Sequence, residues 1–420
     1  MPEPEVSDSV HIGTGPPLPS STFHRIRQRM TLECCKWDPQ VGDVSTLEPF
    51  PLLLGRTQWR YLANCAERLA QETCEAERSI LKRTDLAARL AIPRRLIEPV
   101  LESLRSQQPV VNEARIMRFD FHPTTEGWRV SEVNSDVPGG FSESSEFPPM
   151  IAEHCSGYRP AGAPGASFAD AIVRVLSQNT GSRPRAGLIF AAGFMEDLQV
   201  VSYLAQLLRK RGVETHLLNP QQLRFENRKA FIAPEGGILP LSAIVRFHQA
   251  EWLSCKRYAA IAPHLLGASK TPVVNPGHAL LSESKRLPLV WDELSLPMST
   301  WRQLLPETRD PRNVHWRHDS SWLLKSAFCN TGDSVSSRLT LSRRRWLAAA
   351  AEATLLPSKW IAQRRFETCP IATPSGPRHP CLGVYTVGGR ACGVYGRLSP
   401  TPLIDYTAAD VAVLVEEENR

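Results

Sequence analysis

The sequence predicts a mixed α/β protein, of α+β character overall, and three observations carry that expectation. First, the runs RAGLIFAA, MEDLQVVSYLAQLLRKRG and VETHLLNP follow one another from Arg185 as strand, amphipathic helix and strand, the ~30-residue rhythm of a parallel βαβ unit. Second, GRTQWRYLANCAERLAQETCEAERSIL and RTDLAARLAIPRRLIEPVLESLR repeat apolar positions at three- and four-residue spacing, which predicts helices with prolines at their joints. Third, period-two alternation marks hairpins at 115–134 and in PCLGVYTVGGRACGVYGRLS, where Gly388 and Gly389 take the turn.

In chain order, residues 1–21 are acidic and proline-rich and read as a flexible tail, and residues 22–110 read as a helical segment. Residues 111–180 hold the first hairpin, the glycine- and serine-rich stretch VPGGFSESSEFPP and the helix-like ASFADAIVRVLSQN. The βαβ unit opens the segment 181–275, whose later strand material centres on Ala243 to Phe247. Residues 276–420 alternate short helices with β-rich pieces: HALLSESKRLPLVWDEL, SSWLLKSAF, KWIAQRRFE and the final hairpin. No internal repeat is visible.

The totals narrow the function. With 420 residues, 42% hydrophobic and 22% charged, the chain is globular with a sizeable core. Its 10 cysteines include no Cys-x-x-Cys pair and no zinc spacing, so reduced thiols are expected. The N-terminus has no apolar h-region, and no apolar run approaches the ~18 residues of a membrane span; a cytoplasmic protein without a membrane partner is the expectation. Residues 1–150 carry 17 Lys and Arg against 21 Asp and Glu, the remainder 32 against 22. That polarity suits a site collecting metal on one side and polyphosphate on the other. The basic residues are dispersed and not interleaved with stacking aromatics, which argues against nucleic acid. Neither G-x-G-x-x-G nor a P-loop occurs, so a nucleotide needs another architecture.

The stretch MRFDFHPTTEGWRVSEVNSD concentrates the chemistry. Alternation puts Arg118 and Asp120 on one strand face, with Met117, Phe119 and Phe121 on the other. Glu132 and Asn134 are companions on the antiparallel partner. Two carboxylates and an amide are the hard oxygen set Mg²⁺ takes together with phosphate and water, and Arg118 beside them can neutralise a phosphoryl oxygen. The alternative is a solvated hairpin whose surface Arg–Asp pair contributes about 0–1 kcal/mol. Downstream, Lys285 in NPGHALLSESKRLPLVW and Lys325 at the end of WLLKSAF are candidate phosphate holders or else surface cations. Gln363, on an expected strand edge, reads either as an adenine contact or as an exposed strand glutamine.

The ordered run RFDF, EVN, EDLQVVSYLAQLLRKRG, IVRFHQAEWL, NPGHALLSESKRLPLVW, WLLKSAF, TGDSV, WIAQRRFE and LGVYTVGGRACGVYGRLSPTPLID, from about residue 111 to about 405, resembles the glutathionylspermidine synthase family. The resemblance implies a circularly permuted ATP-grasp fold: a metal-binding catalytic half (111–180), a pre-ATP-grasp α/β domain (181–275) and a nucleotide-clasping half (276–420). It implies ATP and Mg²⁺ as cofactors, an ADP-forming carbon–nitrogen ligase joining a small-molecule or peptide carboxylate to an amine through an acyl phosphate, and a monomer or homodimer. Carried over by position, Asp120, Glu132 and Asn134 resemble the magnesium ligands and Arg118 the phosphate-stabilising arginine. Lys285, Lys325, Asn330, Gly332, Ser334, Gln363, Arg397 and Ile404 resemble the ATP-binding set, the last two as a late arginine and strand that close the site. Where the family reads NADTPT, this chain reads NSDVPGGFSESS, which implies a different acid substrate. Ser142, with the carboxylates of Asp136, Glu143 and Glu146, is placed to meet substrate, the acids taking the amine and its proton. Rival readings are an ATP-grasp phosphotransferase and a nucleotide-binding protein without catalysis.

Overall fold

The computed structural model describes residues 10–38, 40–41, 44–106, 109–177, 183–235, 237–328, 335–336, 338, 341–405 and 407–418. Its centre is a five-stranded antiparallel sheet ordered Ala409–Val411, Arg390–Ser399, His379–Val387, Ile116–Thr124, Gly127–Asn134. Both expected hairpins lie in it. Gly388 and Gly389, at φ +56° and +79°, make the two-residue turn between Val387 and Arg390; positive φ at both positions is what such a hairpin needs.

The apolar face of the strand Ile116–Thr124 carries Met117, Phe119 and Phe121 into the main core, where Phe119 meets Trp301 at 5.9 Å between rings. The amphipathic helix Arg56–Ile80 covers this side, burying Leu62, Ala66, Leu69 and Ile80 against the sheet. The opposite, polar face is buried as well, since every residue from Ile116 to Thr124 is buried. This excludes a solvated hairpin with a surface ion pair: polar groups withdrawn from water on this scale require partners.

The predicted βαβ unit is Arg185–Ile189, helix Met195–Lys210 and Glu214–Leu218, inside a parallel sheet ordered Val273–Val274, Ala243–Arg246, Arg185–Ile189, Glu214–Leu218. A further sheet orders Thr308–Arg309, Trp360–Arg364, Trp322–Ser326 and Val335–Ser336, all antiparallel. Its even-numbered side chains Trp322, Leu324, Trp360 and Ala362 pack with Trp316 and with Trp346 of the helix Arg343–Leu355. Alternation therefore turns Leu323, Lys325, Ile361 and Gln363 to the other face.

The structure departs from the sequence reading in three places. Residues 12–14, expected in a flexible tail, form a strand on Leu52–Leu54, itself within the segment read as helical, and the first helix starts at Ser20. Leu52–Leu54 in turn pairs with the C-terminal strand Val413–Glu416, and this long-range pairing has no local signature. Residues 276–420 contribute to more than one sheet: Trp322–Ser326 lies in one built from this segment alone, whereas His379–Val387 and Arg390–Ser399 complete the sheet that carries Asp120. Among the described residues no helix is long and apolar enough to cross a membrane.

Candidate active site

Arg118 and Asp120 form a buried bidentate pair, Nε to Oδ1 at 2.8 Å and Nη2 to Oδ2 at 3.1 Å. Gly383 is the residue directly opposite Asp120 on the neighbouring strand. A Cβ there would lie 2.7 Å from Arg118 Cδ and 2.9 Å from Asp120 Oδ1, so the flat pair requires glycine. Asp120 Oδ2 also accepts from Arg397 Nη2 at 2.8 Å and from Asn134 Nδ2 at 3.2 Å. Burial by itself raises the Asp120 carboxyl, but the Arg118 and Arg397 guanidiniums outweigh it and hold the group well below the usual carboxylate range. Arg118 is fixed from its other side by Nη1 to the Gly139 carbonyl at 2.9 Å, and it lies 6.0 and 5.5 Å from the ring centres of Tyr385 and Tyr395.

A bulge brings Glu132 in. The register runs Phe119↔Val133 and then Phe121↔Val130, so two residues, Ser131 and Glu132, stand opposite Asp120 alone. Glu132 Oε2 meets Lys285 Nζ at 3.2 Å, and the Lys325 ammonium donates to the Ser131 carbonyl at 3.1 Å. Burial works against ionisation of Glu132, and Lys285 and Lys325 together overcome it, leaving the carboxyl below its ordinary value. Ser131 Oγ lies 3.0 Å from His122 Nε2. Burial pushes the His122 imidazole down to about 4, with Arg397 and Lys325 adding to it against the pull of Asp120, so the ring is neutral at pH 7. Strict alternation from Asn134 sends Ser131 to the far face; only the extra residue reverses it, which is why sequence reasoning passed over Ser131. His122 was recoverable, since it continues the 118, 120 step.

Lys285 is carried on the turn after Ala279–Glu283, tied to the end of the strand Trp322–Ser326 by its backbone N–H to Ala327 O at 3.0 Å. The neighbouring Arg286 bonds to Asp310 at 2.7 Å and to the carbonyls of Arg89 and Pro357 at 2.7 and 3.0 Å, which fixes that turn. Lys325 and Gln363 share the face of the Trp322–Ser326 sheet opposite Trp322 and Leu324, one strand over and two residues apart in register, or roughly 7 Å along the strand. Gln363 Nε2 donates to Thr308 Oγ1 at 3.0 Å, while its buried Oε1 has no partner among the described residues. Its strand is interior, between Thr308–Arg309 and Trp322–Ser326, so the expected edge glutamine is instead buried.

Other sequence candidates are placed differently. Asn330, Gly332 and Ser334 lie outside the described residues. Ile404 is half-buried in the connection after Arg390–Ser399 and belongs to no strand. Asp136 is committed to the fold, paired with buried Arg246 and accepting from Ala250 N at 2.8 Å. Glu146 accepts from Tyr203 Oη at 2.6 Å. Ser142 Oγ donates to Glu143 Oε2 at 2.9 Å, and Glu143 Oε1 meets Lys36 Nζ at 2.9 Å. Neither Lys36 nor the tyrosines 385 and 395 announces itself in the sequence, because each reaches the site from a distant segment.

Among the described residues no three His, Cys, Asp or Glu side chains gather as a metal site. The set here is two carboxylates held ionised with an amide beside them, a donor chemistry that fits a hard, oxygen-seeking divalent cation completed by phosphate and water. Oδ1 of Asp120 takes one hydrogen bond where Oδ2 takes three, so acceptor capacity remains on Oδ1.

Residues 52–416 match the glutathionylspermidine synthase pre-ATP-grasp family. This chain belongs to that family. A glutathione synthetase-like effector, GSS30, from Globodera pallida, solved in apo form, superposes with a TM-score of 0.59 at 10% identity, covering 87% of this chain and 89% of its own. At that identity the likeness is one of fold. A putative gamma-glutamylcysteine synthetase from Methylobacillus flagellatus KT gives a TM-score of 0.41 at 13% identity, over 76% of this chain and 86% of that one, too distant to bear on the site. No curated protein matches the chain. The family region contains the whole Asp120 cluster and excludes Lys36.

Proposed function

We propose that the protein is an ATP-dependent carboxylate–amine ligase: a carboxylate takes the γ-phosphoryl group of ATP to become an acyl phosphate, and an amine then displaces phosphate to leave an amide and ADP. The observation that carries this reading is the convergence of Asp120, Glu132 and Asn134 with Arg118, Arg397, Lys285 and Lys325, drawn from separate segments of the chain onto one buried face.

The placement of each residue supports a role in that reaction. Lys325 and Gln363, on one sheet face, suit a nucleotide lying along it, triphosphate toward Lys325 and base toward the unpartnered Gln363 Oε1. Arg118 and Arg397, already desolvated and oriented, are positioned to stabilise charge spreading over the transferring phosphoryl oxygens. Asp120, Glu132 and Asn134 would hold Mg²⁺, which supplies charge neutralisation on the phosphate oxygens. The Gly139–Gly140 turn, bonded to Arg118 and Tyr385, brings the NSDVPGGFSESS segment beside these arginines, and this segment is where an acid substrate other than glutathione is accommodated.

The test is ADP release from full-length protein against pooled peptides, amino acids and polyamines, with Mg²⁺ present and chelated. Amide product that requires both an acid and an amine supports the ligase. Phosphorylated acid accumulating with no requirement for amine points to a phosphotransferase. Absence of any ATP-induced thermal stabilisation, expected to reach about 2.7 kcal/mol at a hundredfold excess over Kd, rejects nucleotide binding altogether.

A further inference from the structure

Lys36 lies outside the family region, on the turn that follows the helix Ser20–Glu33. The residue is 5% exposed, and its ammonium touches three carboxylates: Glu143 and Asp410 at 2.9 Å and Asp38 at 3.1 Å. The turn is built to aim it inward. Cys35 sits at φ +59°, the Lys36 N–H donates to Met30 O at 2.9 Å, and Gln199 Oε1 accepts from the backbone N–H groups of Trp37 and Asp38. Burial alone works to discharge the ammonium, but Asp410, Glu143 and Asp38 outweigh it and keep it protonated.

This cage adjoins the phosphoryl-transfer cluster. Asp410 accepts from Tyr395 Oη at 2.5 Å and pairs in register with Arg397, and the Tyr395 ring lies 5.5 Å from the Arg118 guanidinium carbon and 5.4 Å from that of Arg397. One aromatic ring is thus a common wall for the arginines and the acids. What fills the acidic side is a primary alkylammonium on a four-carbon stem, the functional group an amine substrate presents, and three carboxylates surround that single cation.

We infer that Lys36 is a built-in stand-in for the second substrate: its ammonium occupies the Glu143–Asp410 pocket that receives the alkylammonium of the amine, and the Cys34–Asp38 turn must withdraw to admit it. The inference rests on the ligase reading for the identity of the amine. It makes Lys36 a specificity determinant, since only a cation able to compete for these carboxylates enters. A neutral or anionic acceptor gains nothing from displacing it.

The experiment is binding of n-butylammonium to the full chain without ATP, read by calorimetry and thermal melting, with n-butanol as the uncharged control. Lys36→Ala vacates both the charge and the stem; Lys36→Met removes the charge and keeps the stem. Lys36→Ala should bind butylammonium saturably, wild type at least about tenfold more weakly because the resident lysine competes, and Lys36→Met not measurably. A folded Lys36→Ala that ignores butylammonium overturns the inference, as does an equal response from all three proteins. Hydrogen–deuterium exchange on wild type provides a readout independent of the variants: backbone amides of residues 34–38 should exchange faster as butylammonium is titrated, and unchanged exchange overturns the displacement. Because these readouts contain no ATP, they fail separately from the ADP-release assay that tests the ligase itself.

Discussion

Replacing Asp120 with Asn tests the charge balance on which the site is built. The carboxylate is 1% exposed and accepts from two guanidiniums, bidentate from Arg118 and at 2.8 Å from Arg397. The substitution keeps the volume and removes the charge that compensates the buried Arg118 guanidinium and the part-buried Arg397 guanidinium. Removing one partner of a buried pair typically costs about 3–5 kcal/mol, and with two cations stranded the loss at pH 7 belongs at the upper end of that range. Asp120→Asn is therefore expected to weaken the fold as well as abolish turnover. Its folded carboxyl lies below its unfolded value near 3.8. The contribution is thus fully present above about pH 4 and is lost as pH falls through the depressed folded value. Urea unfolding followed by tryptophan fluorescence measures this, and a double cycle with Arg397→Met isolates the pair. Arg397→Met should cost about 1.5–3 kcal/mol alone and less in the Asn background, with a coupling of roughly 1–3 kcal/mol. An Asp120→Asn protein within about 0.5 kcal/mol of wild type at pH 7, inside the range of an ordinary surface change, would refute the reasoning.

Three further outcomes follow from the same coordinates. Gly383→Ala forces a methyl against Arg118 Cδ and Asp120 Oδ1, so it should cost about 1–3 kcal/mol in urea melts and lower turnover by tilting the pair, whereas Gly389→Ala, whose Cβ meets nothing but whose φ of +79° strains the turn, should cost stability and leave turnover unchanged. Glu77→Gln strips the charge from the buried Arg115 pair that also binds Ser282, with an expected loss of about 3–5 kcal/mol by the same unfolding assay. His122, His248 and His278 are each pushed down to about 4, chiefly by burial. The unfolded chain therefore takes up protons below about pH 6.5 that the folded one refuses, and each residue should withdraw about 2 kcal/mol by pH 5; a His122→Gln protein should show a correspondingly shallower acid loss between pH 7 and 5.

What the sequence displayed and what it concealed divide along physical lines. Alternation is local, so the common face of Arg118, Asp120, Glu132 and Asn134 was readable from four residue numbers, and the paired positive-φ glycines located the final hairpin. The bulge at Ser131 and Glu132 was not readable, because an inserted residue changes parity without any glycine or proline to mark it. Gln363 was misplaced at an edge because the strand that covers it, Thr308–Arg309, is two residues long and carries no pattern. Asp136 resembled a free loop acid until Arg246, 110 positions away, closed on it. Lys36 belongs with these: nothing nearby in the chain indicates that Glu143 and Asp410 will surround it.

The cluster also accounts for how a site proposed to take a highly charged ligand stays folded without it. Two carboxylates, Asp120 and Glu132, face four cations, Arg118, Arg397, Lys285 and Lys325, and three of those cations contact the carboxylates directly. Each group suited to a metal is thereby neutralised by one suited to phosphate, which removes most of the cost of burying either. The neutrality of His122 matters here, since a fifth positive charge would be repelled by Arg397 and Lys325 and, buried as it is, would not be held by the pull of Asp120 and Glu132. The surplus is positive, so a metal–triphosphate complex of net negative charge can exchange with the internal pairs one for one: carboxylates to metal, guanidiniums and ammoniums to phosphate. A triphosphate arriving without its metal meets the same cations but leaves Asp120 and Glu132 ionised, buried and deprived of partners. Its binding should then be weaker by the stranding penalty of those two carboxylates, which ties nucleotide affinity to the divalent cation through the ion pairs alone.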